Sequence, residues 1–184
     1  MQRISLLLLA LVFCFAAAMQ AQAQAPKPDP EVKKLSVFVG QWTFDVEYKP
    51  GPLGPAGKHT GEMACQMVLG GFFMQCRITE KGPAGASHYL VFSGYDSVNK
   101  NFATEWYFDD GSRASGAISM AGNTWNFAAK KWAAAGKQIP FKSTFALAPD
   151  LASATQKSET SVDGTTWAPW FETKYTKVPP AAKK

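Results

Sequence analysis

From residue 42 onward, apolar and polar positions alternate with a period of two. Trp42, Phe44, Val46 and Tyr48 interleave with Thr43, Asp45 and Glu47, the signature of a half-buried strand. The same rhythm recurs near residues 60–69, 72–80, 87–95, 101–108, 112–119, 124–131, 140–147, 152–160 and 166–176. Between these segments lie clusters of Gly, Pro, Asn and Asp: Gly70-Gly71, Lys81-Gly82-Pro83, Asp109-Asp110-Gly111, Gly122-Asn123, Pro149-Asp150 and Asp163-Gly164. Such residues supply the backbone conformations that tight turns need. The pattern before residue 42 is different. Asp29 as N-cap, Pro30 at the first helical position and Glu31 in the first turn open a short amphipathic helix. Val32, Leu35 and Val39, with Phe38 beside them, form its apolar face, and Gly40 stops it. Ala133–Ala135 is too short for a second helix.

About ten sequential strands joined by short turns predict an all-β fold in which an antiparallel up-and-down meander closes into a barrel of about 8–10 strands. Closure removes the exposed edges that an open sheet would present. The Pro- and Gly-rich segment 49–59 is the longest connection and is placed at one rim, as a flap.

The extreme N-terminus carries a different message. Met1–Arg3 is a short basic stretch, Ile4–Ala18 is almost wholly apolar, and Ala21-Gln22-Ala23 is a small-residue cleavage site. The expectation is a signal peptide over 1–23, cut after Ala23, giving a periplasmic or secreted protein. A flexible leader (24–30), a barrel domain (31–176) and a disordered basic tail (177–184) complete the predicted organisation. No later segment is apolar for long enough to span a membrane as a helix.

The order helix, Gly40-Gln41-Trp42, then serial strands resembles the lipocalin-like (calycin) barrels, and within them an exported bacterial family of unknown function. The shared pattern is Leu35-x-x-Phe38-Val39-Gly40-x-Trp42, then Leu69-Gly70-Gly71-Phe72, then Gly94-Tyr95-Asp96. The resemblance implies structural roles for Gly40 and Trp42, with Trp42 plugging the closed end, and a tendency to bind apolar ligands. It supplies no catalytic residue.

Composition narrows the chemistry. The chain of 184 residues is 46% hydrophobic and 18% charged, with a net charge of +5, which excludes a chain disordered throughout. Its lysines are mostly dispersed, so no nucleic acid is expected as a partner. Two histidines, His59 and His88, are too few for a converging metal site, and either could serve only as a single axial ligand to haem; the expectation is no metal and no cofactor. No Gly-x-Ser-x-Gly elbow occurs, Asp109-Asp110 reads as a turn, and Glu105 alternates outward beside Trp106, so no enzyme activity is expected.

Beyond the signal segment two cysteines remain. With Gly70-Gly71 as a two-residue turn, Cys65 and Cys76 fall opposite each other at a hydrogen-bonded position, and Met67 and Leu69 share their face with Phe72 and Met74. In an oxidising compartment they are expected to form a disulfide, the alternative being two buried thiols. The predicted cavity lining is Met67, Met74, Phe102, Trp106, Trp125 and Phe127. Trp167 and Trp170 flank a break at Pro169, where one of them would face solvent at the barrel mouth. The leading expectation is therefore an exported soluble carrier of an apolar small molecule, of fatty-acyl or aromatic type. An envelope protein-interaction module with a filled core is the alternative, and an enzyme of unrecognised type the third.

Overall fold

The structure is a computed structural model that describes residues 26–132 and 138–180. The signal segment 1–23, Gln24 and Ala25 of the leader, Ala133–Ala135 and the last residues of the tail lie outside the described residues. Ten strands form one closed antiparallel barrel: β1 (Gly40–Tyr48), β2 (Gly57–Val68), β3 (Phe73–Gly82), β4 (Gly85–Asp96), β5 (Asn101–Phe108), β6 (Arg113–Ala121), β7 (Thr124–Trp132), β8 (Gln138–Leu147), β9 (Ser153–Thr160) and β10 (Ala168–Val178). Each strand pairs with its neighbours in the chain, and β10 returns to pair with β1, from Gln41 opposite Val178 to Tyr48 opposite Phe171. The last strand extends to Val178, two residues into the segment expected to be tail.

Aspartates build several of the turns. Asp96 accepts the backbone N–H groups of Val98 (2.9 Å) and Asn99 (3.1 Å). Asp110 accepts that of Ser112 (2.8 Å), and Asp163 those of Thr165 (2.8 Å) and Thr166 (2.7 Å). Each carboxylate thus satisfies amides that a reversing backbone leaves without ladder partners.

Alternation sorts the side chains as the sequence requires. In β1, Trp42, Phe44 and Val46 are buried while Thr43, Asp45 and Glu47 are exposed. The barrel is apolar inside and polar outside, the reverse of the alternation in a transmembrane barrel. Among the described residues no helix is long and apolar enough to cross a membrane.

One end is plugged. The helix Pro30–Phe38 is a 3-10 helix, with Asp29 accepting the Glu31 amide at 2.9 Å as its N-cap. Its buried residues are Val32, Leu35 and Phe38, spaced by three. A helix of three residues per turn stacks that spacing directly in line, whereas in an α-helix it would drift by about 60° per step. Val39 is extended and lies beyond the helix rather than on its apolar face. Gly40 follows at φ 123°, a conformation that favours glycine, and so lets the chain turn directly from helix to β1. Trp42 is 1% exposed and donates its indole Nε1–H to the Phe38 carbonyl at 2.8 Å, tying strand to plug.

The β2–β3 connection differs from the expected two-residue turn. Its residues are Leu69–Phe72, with a 3-10 turn at Leu69–Gly71, and β2 and β3 meet at Val68 and Phe73. Leu69 is therefore 71% exposed in the turn instead of facing inward with Met67. The register is the expected one, and Cys65 and Cys76 are opposed and joined by a disulfide. The longer loop reverses the parity of the ladder. Their Cα atoms are 4.0 Å apart, the short spacing of a non-hydrogen-bonded pair rather than the hydrogen-bonded position expected.

Replacing both cysteines by alanine is expected to destabilise the fold by about 2–4 kcal/mol, the usual contribution of a native cross-link. Urea unfolding of the two proteins without reductant measures the difference, and equal midpoints would show that the bridge contributes no stability.

Candidate functional site

The plug fills only one end of the barrel. Above it a cavity of about 430 Å³ runs from Leu35 and Phe38 to the opposite rim, where Leu53–Ala56, Pro83 and Ala84 border it. The segment between β1 and β2 expected as a rim loop is thus at the mouth, although it ends earlier than predicted, since His59 belongs to β2.

Three of the six residues expected to line the interior do so: Met74, Trp106 and Phe127. Trp106 meets Phe127 and Phe141 edge to face, at centroid distances of 6.2 and 5.7 Å. Met67, Phe102 and Trp125 are not in the cavity wall. Trp125 packs on Phe38 (5.0 Å) and Phe102 (5.7 Å), and Met67 joins the same core, because the helix occupies the volume they face. Gly40 and Trp42 lie in the closed end.

Trp170 is turned inward. A bulge between Pro169 and Phe171 shifts the β9–β10 register, and bulges redirect side chains. Trp170 lines the cavity mouth against Phe171 (4.8 Å), Phe141 (5.4 Å) and Tyr48 (6.2 Å). Trp167 is half-buried on the outside under the Lys142 ammonium, 4.5 Å from its ring centre. Neither tryptophan is a bare apolar surface at the mouth.

The upper cavity wall holds a polar cluster that the strand pattern did not assemble. Glu80 is 7% exposed. Its Oε2 accepts hydrogen bonds from the hydroxyls of Tyr48 (3.2 Å) and Tyr89 (3.3 Å), and its Oε1 lies 2.7 Å from Nδ1 of His59. Four neighbouring strands supply the four residues: β1 Tyr48, β2 His59, β3 Glu80 and β4 Tyr89. Glu80 was legible, because the inward run Met74, Cys76, Ile78 continues to it at a spacing of two. His59 was not, because the Pro- and Gly-rich residues before it read as loop. Gly82 and Gly57 make room for its ring, and a Cβ at Gly82 would fall on the imidazole.

Burial first, and the negative charge of Glu80 second, push the phenols of Tyr48 and Tyr89 far above their ordinary range. Burial likewise raises Tyr175, which donates to Gln156 Oε1 at 2.8 Å. Nearer the rim, burial lowers Lys131, opposed by the charges of Asp110 and Glu80. Its Nζ sits 4.0 Å above the centre of the Phe108 ring.

The remaining candidates are structural. His88 faces outward, with Nδ1 3.1 Å from the Thr79 hydroxyl. Asp109 accepts the His88 amide at 2.6 Å, as its place in a turn suggested, while Asp110 caps its turn and also borders the cavity. Glu105 stands outside the cavity wall, paired across the sheet with Phe92 and Ser115. Among the described residues no three His, Cys, Asp or Glu side chains are grouped to hold a metal ion.

These features define a closed ten-stranded antiparallel barrel with an aromatic-walled cavity and a buried carboxylate near its mouth. The chain belongs to the family described as protein of unknown function (DUF1579), whose model matches residues 27–177. No curated protein matches it. A crystal structure of Rv2717c from M. tuberculosis is similar in fold, with a TM-score of 0.62 at 12% identity over 83% of this chain and 100% of that one. Two other matches are designed proteins. One is a de novo designed fluorescence-activating β-barrel (TM-score 0.41, 12% identity, 78% and 95% coverage). The other is a redesigned β-barrel, mFAP0, bound to DFHBI (TM-score 0.42, 11% identity, 77% and 99% coverage).

The half-buried phenols of the cavity wall set an alkaline limit. In the fold Tyr48, Tyr89 and Tyr175 keep their protons, whereas the unfolded chain releases them near pH 10. Above that pH the unfolded state binds fewer protons, so stability falls as pH rises. Phenolate absorbance from these three residues is expected to appear together with the loss of near-ultraviolet circular dichroism. Their ionisation before that loss would contradict the assignment. Replacing Gly82 by alanine is expected to displace His59 from Glu80, read as a shift of the His59 ring resonances in NMR; unchanged resonances would show that the ring does not depend on this notch.

Proposed function

We propose that this protein is a carrier that holds an apolar small molecule in its barrel cavity, binding it without turnover, and that it works outside the cytoplasm. The cavity carries the reading. Its volume of about 430 Å³ lies within the range of small-molecule sites, roughly 300–1,000 Å³. Its wall is mainly aromatic and aliphatic, interrupted by polar side chains such as Glu80, Ser93, Ser143 and Gln156, a lining that retains a largely apolar guest while orienting it.

The export part of the proposal rests on the N-terminal segment Met1–Ala23 and on the Cys65–Cys76 disulfide, which favours an oxidising compartment. The lipocalin-like resemblance of the Gly40-Gln41-Trp42 segment supports the same class of function.

Titration with N-phenyl-1-naphthylamine, a neutral apolar fluorophore, tests the proposal. One molecule is expected to bind per barrel, with quenching of tryptophan emission, and Trp106→Leu should weaken binding at least fivefold. A probe that stays unbound, or that binds the variant equally well, would place Trp106 in ordinary core and remove the support for a cavity carrier.

A further inference from the structure

We propose that the guest of the cavity is an organic cation: an apolar body ending in an amine or ammonium group that seats against Glu80. This inference rests on the carrier reading and names the class of ligand. A carboxylate nine-tenths buried in an apolar wall is costly unless donors or a counter-charge surround it. Glu80 receives two phenolic hydroxyls and faces His59, which together occupy three of the four lone-pair directions of a carboxylate. Glu80 lines the cavity, and one acceptor direction of its carboxylate is not taken up by these three contacts.

The rings around it have the matching preference. Tyr48, Trp170 and Phe171 contact one another on one side, and Tyr89 stacks near Phe108 (5.1 Å) on the other. Aromatic faces attract cations, most strongly where water is excluded. Lys131 shows the preference within the protein itself, since its ammonium rests on the Phe108 face. Besides the tyrosines, the ionisable groups lining this space are Glu80, His59, Lys131 and Asp110. Lys131 feels the charges of both Asp110 and Glu80, so its ammonium is opposed by two carboxylates rather than free to hold an anionic head. A free fatty acid would set its carboxylate against Glu80, and like charges in a low-dielectric site repel strongly.

Three ten-carbon probes that differ only at the head decide the matter: decylammonium, decanol and decanoate, each titrated at neutral pH below its micelle concentration. In the wild-type protein decylammonium is expected to bind at least tenfold tighter than either of the others. Glu80→Gln keeps the shape and removes the charge. It should cost decylammonium at least tenfold while leaving decanol within twofold. Should that variant not fold, the wild-type ranking stands as the test, together with Trp170→Leu, which is expected to narrow the gap between decylammonium and decanol. Decanol or decanoate binding as tightly as decylammonium overturns the cationic class and leaves the carrier reading intact. Failure of all three to bind overturns the carrier reading and this inference with it.

Discussion

The pairing of β10 with β1 is the constraint on which the rest of the molecule depends. Once the last strand closes on the first, the sheet has no free edge and every inward side chain faces one shared interior. Ten strands enclose a wider space than eight, and eight already leave an interior that side chains can just fill. The helix Pro30–Phe38 fills one end, through Val32, Leu35 and Phe38 against Trp42 and Trp125. It does not reach the other, and the difference between the two ends is the cavity. The plug is consequently both a stabilising core and the floor of the site.

Closure also determines what becomes of polar residues that alternation sends inward. Ser93 and Thr104, then Ser143 and Ser158, meet on adjacent strands and satisfy each other by hydrogen bonds. Glu80 cannot be satisfied by a single neighbour, and its three partners come from the strands on both sides of β3 and one strand beyond. The phenols that donate to it are held protonated by the same burial that makes the carboxylate expensive, so each group stabilises the state in which the other is useful. The cluster ties four strands of the cavity wall together at one point.

Much of this is readable from single segments. The strand positions, the Asp29 N-cap, the inward stripe of β1 and the Cys65–Cys76 register all depend on contacts between residues close in sequence or joined by one turn. The structure departs from simple expectation where a local rule meets a neighbour it cannot see. An ideal two-residue turn would carry Leu69 inward, but the actual loop puts it in solvent. Phe102 and Trp125 point inward as a cavity lining would, yet inward at the plugged end means core. By the local rule the proline break places one of Trp167 and Trp170 in solvent at the mouth; the bulge there sets Trp170 at the mouth but turned into the cavity wall.

Sequence alone therefore determined the all-β character, the serial order of the strands, the inward stripe of β1, and the opposed register of the two cysteines. A period of two and a short turn are local facts, and they dictate facing and register without reference to the whole. The tertiary structure decided how deep each inward residue lies, which end is filled, and that Tyr48, His59, Glu80 and Tyr89 form one group. Those are matters of height and stagger around a closed ring. Height is set by the tilt and register of all ten strands together, and no single segment of the chain encodes it.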